Sequence, residues 1–372
     1  MLDRDTKQSL RSVETREQLQ ELLKSLTDTE FTLRDADVIA RTNRKLGLEP
    51  DCKIAYLGNH TIEPLDRFVE ALALLQDITL SSYTGEYDQH FQEILQADSG
   101  CRIFSPNIIF LSLSIRVLAP DIYNNLLGLT TEQREAELER ILQMISDWVE
   151  LAKQQTDATL LISDIPRPVH GQAGLADAKL VLGEAEFYHQ LNLQLQKMYL
   201  DDPRAHIFAM DHTLSCAGKI EARDAKMYYL AKMEWTEKAQ AAIARELTKN
   251  IYTVLGRTKK CLVLDLDNTL WGGVVGEDGV DGLAIGEGSA HGEAFADFQH
   301  YIKALKERGI VLAICSKNNT QDAEDVFTSR DEMILKLDDF SAVRINWQQK
   351  HLNIQEIAKE LNIGTDSMVF VD

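Results

Sequence analysis

No apolar run in the 372-residue sequence is long or clean enough to read as a membrane span. The most apolar stretch, 103–118, is broken by Ser105, Pro106, Asn107, Ser112, Ser114 and Arg116. The segment 1–16 is charged and lacks the apolar core of a secretory leader. Cysteine is scarce: the five residues Cys52, Cys101, Cys216, Cys261 and Cys315 are odd in number and show no C-x-x-C spacing. That argues against a disulfide framework or a thiolate zinc site and fits free thiols in a reducing cytoplasm. Positive charge is in deficit, 39 Lys and Arg against 59 Asp and Glu, for a formal net charge of −20. Phosphate backbones would be repelled, so a nucleic-acid partner is not expected, and an acidic protein partner would need a local basic patch. Internal repeats and low-complexity tracts are also absent.

What is present is a chain with 44% hydrophobic and 26% charged residues, enough for two or three globular domains. Residues 1–48 read as a helical, charged segment with Leu19, Leu22, Leu23 and Leu26 at helical spacing. From 49 to 235, strand patterns at 53–57, 108–113, 158–162 and 207–210 alternate with helical patterns at 64–75, 131–154 and 183–198. Such alternation predicts a parallel sheet with covering helices. A helix and basic turn, Gly256-Arg257-Thr258-Lys259-Lys260, fill 236–260 and read as a domain junction. Residues 261–372 alternate again: strands at 261–266, 310–314 and 368–371, and helices at 289–308, 320–328 and 352–361. The expected fold class is therefore α/β, with two Rossmann-like parallel-sheet domains.

The chemistry concentrates where the strand Cys261-Leu-Val-Leu ends in Asp265-Leu-Asp267-Asn-Thr269. Carboxylates at i and i+2 on an extended chain share one side, and at the carboxyl edge of a parallel sheet they face the ligand crevice. Such a pair suits phosphoryl transfer. One carboxylate attacks phosphorus, the other handles the leaving group's proton and later activates water, and a divalent metal screens the repulsion between carboxylate and phosphate. Alone, the motif also fits a strand followed by an Asx-rich turn. Three later residues weigh against that. Ser316 ends a strand where its hydroxyl can bond a phosphoryl oxygen, Lys350 precedes a helix where it can neutralise phosphate charge, and Asp372 ends a further apolar strand where it can complete a metal site.

This order of motifs resembles the haloacid dehalogenase superfamily. The resemblance implies Asp265 as nucleophile, Asp267 as acid/base, Ser316 and Lys350 holding the phosphoryl group, and Mg²⁺ bound through Asp265, Asp267 and Asp372. The chain stops at Asp372, so the second acid of the family's last motif is missing, and the domain 261–372 is expected to be C-terminally incomplete. A narrower likeness runs through Trp271-Gly-Gly-Val-Val-Gly-Glu-Asp-Gly279, Cys315-Ser316-Lys317-Asn318-Asn319, Asn346-Trp347 with Lys350, and Leu361-Asn-Ile-Gly364. Together these are similar to the FkbH-like subgroup, the glyceryl transferase/phosphatase component of polyketide pathways. Asn318 joins Ser316 and Lys350 as a phosphate-binding candidate. By this likeness the chain takes 1,3-bisphosphoglycerate, removes its phosphates and loads a glyceryl-type unit onto the phosphopantetheine thiol of an acyl carrier protein, beside neighbouring polyketide synthase domains. The alternatives are a plain Mg²⁺-dependent phosphatase of a small metabolite and a carrier-binding scaffold with a degenerate site.

About 46 residues separate Thr269 from Ser316, too few for a large cap. The glycines at 272, 273, 276 and 279 are read as permitting positive φ and tight turns. Thioester formation requires attack at carbon, and among the cysteines Cys315, adjacent to Ser316, is the candidate enzyme nucleophile, direct attack by the carrier thiol being the alternative. Two basic groups, Arg257/Lys259/Lys260 and Lys303/Lys306/Arg308, are candidates to flank the Asp265 opening and attract an acidic carrier. The N-terminal domain is similar to SGNH hydrolases. The stretch Leu57-Gly58-Asn59-His60-Thr61 stands where that family has a Gly-Asp-Ser nucleophile turn, with no Ser in place. A non-hydrolytic role in carrier docking or substrate recognition is expected, with His60 as a polar surface residue.

Overall fold

The computed structural model describes residues 2–26 and 31–372, so part of the expected helical segment 1–48 lies outside the described residues. The chain divides into two compact units, Met1–Val254 and Leu255–Asp372. Both are α/β with parallel sheets, as the alternating patterns require.

In the first unit the strands are β1 (Cys52–Gly58), β2 (Leu80–Thr84), β3 (Ile108–Ser112), β4 (Thr159–Ser163) and β5 (Ala205–Phe208), in the order β2-β1-β3-β4-β5. β3 is buried along its whole length, which is why it reads as a continuous apolar run and not as an alternating one. Helices such as Thr131–Gln155 bury Ile141, Ile145, Trp148 and Val149 against it. The helix Glu237–Val254 is not a linker. Its Ala239, Ile243, Ala244, Leu247 and Ile251 are buried, and it packs on the helix Leu65–Leu74. The helices Arg4–Ser12 and Leu33–Leu46 also belong to this unit, tied by Lys7–Asp35 at 2.7 Å and by Arg44–Glu70 at 3.0 Å.

In the second unit the strands are β6 (Cys261–Leu264), β7 (Val311–Ser316), β8 (Ala342–Ile345) and β9 (Met368–Val371), ordered β8-β7-β6-β9 and all parallel. β6 alternates across the sheet. Leu264 faces the cluster with Ile302, Ile314 and Phe327, while Cys261 and Val263 face the one with Ala313, Cys315 and Ile357. Between Thr269 and Ser316 lie the short helix Val275–Gly282, the helix Ala290–Glu307 and β7, with no inserted cap domain. The sheet order reverses between β6 and β9, where open α/β sheets leave a crevice at their carboxyl edge.

Candidate active site

The backbone places the carboxylates at that crevice. Asp265 N donates to Val371 O at 2.9 Å, which extends the β6–β9 ladder to its end and brings Asp265 beside Asp372. Lys350, the first residue of the helix Lys350–Glu360, reaches both. Its Nζ is 2.7 Å from Asp265 Oδ2 and 2.6 Å from Asp372 Oδ1. Partial burial by itself lowers the pKa of Lys350, and the bonds to Asp265 and Asp372 outweigh it, so the net shift is upward. The same contact with Lys350, and then that with Asp265, holds Asp372 below the usual carboxylate range. Asp265 is buried, and its Oδ1 has no hydrogen-bond partner.

Asp267 is positioned differently. Its Oδ1 accepts hydrogen bonds from Trp271 Nε1 at 2.9 Å and Val275 N at 3.1 Å, so this carboxylate is anchored to the glycine-rich segment and not to Lys350. Trp271 is fully buried and packs edge-on to Phe327. The turn around it depends on Asn268 at φ 54° and Gly273 at φ 104°, linked by Gly273 N donating to Asn268 Oδ1 at 2.9 Å. Gly279 also has positive φ. Gly272 does not; it lies where a Cβ would come within 2.7 Å of His291.

Ser316 ends β7, next to β6, and is buried with Asn318, whose Nδ2 donates to Ser316 Oγ at 3.1 Å. Neighbouring strands are about 4.8 Å apart, which sets the pair close to Asp265 on the same edge. The structure thus gathers Asp265, Lys350, Asp372, Ser316 and Asn318, with Asp267 one turn to the side.

Cys315 is not in that group. It is fully buried in the apolar layer on the face covered by the helix Lys350–Glu360, and its Sγ lies 3.6 Å from Lys350 O. Burial pushes its thiol up, against the pull of Lys350. Full burial and a raised pKa both count against the thiol as an enzyme acyl carrier, since a nucleophilic thiolate needs access and a lowered pKa. The basic groups fail for a topological reason. Lys260 precedes β6, and its O accepts from Val311 N at the start of β7 (2.9 Å). Lys306 and Arg308 end the helix Ala290–Glu307, which also leads into β7. Both groups therefore sit at the amino edge of the sheet, opposite Asp265.

Mg²⁺ suits the donors present. Asp265 Oδ1 is unpartnered, and Asp372, which shares Lys350 with Asp265, is adjacent, both hard oxygens. Among the described residues no group of three His, Cys, Asp or Glu side chains is gathered to hold a metal ion.

In the first unit His60 is buried and not a surface residue. Its Nε2 is 2.9 Å from Ser112 Oγ, its Nδ1 is 3.3 Å from Thr61 O, and Trp235 packs edge-on against the ring. Burial lowers its pKa. Both members of this Ser–His pair are sealed from solvent, so it is a core hydrogen bond.

No protein-family model and no curated protein matches the chain. Among the described residues no helix is long and apolar enough to cross a membrane. Two solved structures align loosely: the lipase Lip_vut3 from a goat rumen metagenome (8% identity, 53% of this chain and 96% of that chain, TM-score 0.38) and a GDSL-like lipase from Parabacteroides merdae (15% identity, 56% and 97%, TM-score 0.34). Those likenesses are too distant to bear on activity. A third is much stronger. The N-terminal part of the protein BF1531 from Bacteroides fragilis, containing a phosphatase domain complexed with Mg, is similar at 29% identity over 92% of this chain and 89% of that chain, with a TM-score of 0.79.

Proposed function

We propose that the second unit is a Mg²⁺-dependent phosphoryl-transfer enzyme of the haloacid dehalogenase type, with Asp265 as its nucleophile. The observation that carries this reading is the buried Asp265 carboxylate, with one oxygen on Lys350 and the other unpartnered, at the carboxyl edge of a parallel sheet. The likeness to a phosphatase domain complexed with Mg supports it. Asp265, Asp372 and the Asp267 carbonyl would hold Mg²⁺, which supplies charge neutralisation to the phosphoryl oxygens.

The chain's own groups do the rest. Lys350, Ser316 and Asn318 donate to phosphoryl oxygens and orient the phosphorus toward Asp265. A carboxylate oxygen of Asp265 forms a bond to phosphorus as the bond to the leaving oxygen breaks. Asp267 supplies the leaving group's proton. Its Oδ1 is occupied by two N–H donors, so Oδ2 is the atom that carries it. Water then attacks phosphorus, Oδ2 takes its proton, and Asp265 is released.

The finer proposal is a glyceryl-type acyl transferase/phosphatase acting on 1,3-bisphosphoglycerate and an acyl carrier protein. The FkbH-like motifs and the uncapped crevice support it. With Cys315 facing the core, the carrier thiolate attacks the acyl-phosphate carbonyl directly, forming the thioester and expelling phosphate. The phosphomonoester is then hydrolysed at Asp265. Incubation with the bisphosphate, Mg²⁺ and a carrier protein, read as released phosphate and intact carrier mass, tests this. Acyl gain with phosphate release is expected. Phosphate release alone reduces the function to a plain phosphatase, and neither product leaves a carrier-binding scaffold.

A further inference from the structure

The rim of the crevice carries a side chain that phosphoryl transfer leaves unused. Trp347 lies in the turn between β8 and the helix Lys350–Glu360, three residues before Lys350, and is 70% exposed. The other tryptophans, Trp148, Trp235 and Trp271, are buried. Leaving a large apolar side chain in water forgoes roughly 1.5–3 kcal/mol of burial. Here the indole is also held in place. Its Nε1 donates to Asn319 Oδ1 at 3.1 Å, and Asn319 Nδ2 donates to Asp322 Oδ2 at 3.0 Å.

The turn beneath the indole is fixed as well. Asn346 N donates to Ser316 O at 3.1 Å, Asn353 Nδ2 donates to Asn346 Oδ1 at 2.9 Å, and Thr320 Oγ1 donates to Ile345 O at 2.9 Å. Trp347 therefore joins the two loops that supply Ser316, Asn318 and Lys350. Its immediate neighbours Asn319, Asn346, Gln348 and Gln349 are uncharged side-chain amides, with the charged Lys317 and Asp322 further along the adjoining loop. A flat apolar face among amide donors and acceptors suits a ligand segment that is neutral, part aliphatic and amide-bearing. The phosphate belongs deeper, at Lys350. No cap domain is inserted between Thr269 and Ser316, and within its own unit the exposed indole face is open to such a segment.

We propose that Trp347 is a positioning residue for an amide-bearing thiol arm, which lies on the indole face while the acyl phosphate occupies the site beside Lys350. The proposal rests on the carrier-loading reading above and adds the element that orients the acceptor thiol.

The test uses the whole chain, with pantetheine as probe and inorganic phosphate as control. Because Trp347 is the exposed tryptophan, binding of the arm should shift its emission to the blue and shield it from acrylamide. Phosphate should do neither, and Trp347→Phe should abolish the response. In carrier loading, Trp347→Ala should raise KM for the thiol acceptor about tenfold with kcat retained, and Trp347→Phe should recover part of that loss. A pantetheine response that persists in Trp347→Phe, or none in the native chain, overturns the proposal, as does an unchanged KM in Trp347→Ala. Asp265→Asn separates the two readings. If it still releases phosphate from p-nitrophenyl phosphate, the phosphoryl-transfer reading fails whatever pantetheine does. If it does not, and pantetheine leaves Trp347 undisturbed, only the present inference fails.

Discussion

Replacing Lys350 by Met removes one ammonium and two charge-assisted hydrogen bonds while keeping a side chain of similar length. The two bonds contribute unequally. The Asp372 side chain is half-exposed, so that limb is screened and worth about 0.5 kcal/mol. The side chains of Asp265 and Lys350 are 12% and 22% exposed, and a hydrogen bond between charged groups in that setting is worth about 1.5–3 kcal/mol. Unit 2 should therefore lose about 2–3.5 kcal/mol. The Asp372 part has a defined pH window. Its carboxyl is held below 3.8 by Lys350, so this stabilisation is present above pH 3.8 and is lost as pH falls through the folded value; the variant lacks it. Phosphate release should fall by about 10²–10³, the loss expected when a donor to developing charge is removed. Mg²⁺ affinity should move the other way, because the Lys350 ammonium neutralises the same two carboxylates, Asp265 and Asp372. Calorimetric titration with Mg²⁺, urea denaturation with and without the ion, and a phosphate assay read all three effects. A Lys350→Met chain that binds Mg²⁺ no more tightly than the native one, or that keeps full phosphate release, refutes the reasoning.

Cys315→Ala should cost about 1 kcal/mol of stability, as a small cavity in a packed layer, and leave phosphate release and Mg²⁺ binding intact; lost turnover in a folded variant would return the thiol to the mechanism. Reversing Lys259 and Lys260 to Glu should leave carrier loading unchanged, since both precede β6 at the far edge of the sheet. Slower loading with a weakened salt dependence would place the carrier there. His60 is buried with its pKa below 6.5, so as pH falls the unfolded chain takes up the proton first. The stability of unit 1 should be fully present above pH 6.5 and decline as pH falls below it, and His60→Asn should flatten that slope in urea titrations at pH 7 and pH 5.5.

The strand that leads into Asp265 and Asp267 was legible because its signal is local: four apolar residues end abruptly in two carboxylates two apart. β2 and β8 escaped the pattern. Leu80–Thr84 is an edge strand with four half-buried positions, and Ala342–Ile345 has Val343 and Arg344 half-buried, so neither shows a clean apolar run. The helix Glu237–Val254 looked like a linker because of its charged face, while its apolar face meets a helix about 170 residues earlier in the sequence. His60 read as a turn residue because its partners, Ser112 and Trp235, are distant in the chain. The misplaced lysines are the instructive case. In a parallel sheet, residues before a strand and residues after it lie at opposite edges, so the sequence order already separated Lys259 and Lys260 from Asp265.

The claim on which everything else depends is that Asp265 takes up the phosphoryl group. Chain mixed with Mg²⁺ and p-nitrophenyl phosphate, whose leaving group needs no proton, then acid-quenched and digested, should carry a phosphoryl mass increment on the peptide holding Asp265, and Asp267→Asn should increase that fraction because water activation is slowed. The increment should vanish in Asp265→Asn. An increment on another peptide, or one that survives in Asp265→Asn, contradicts the account.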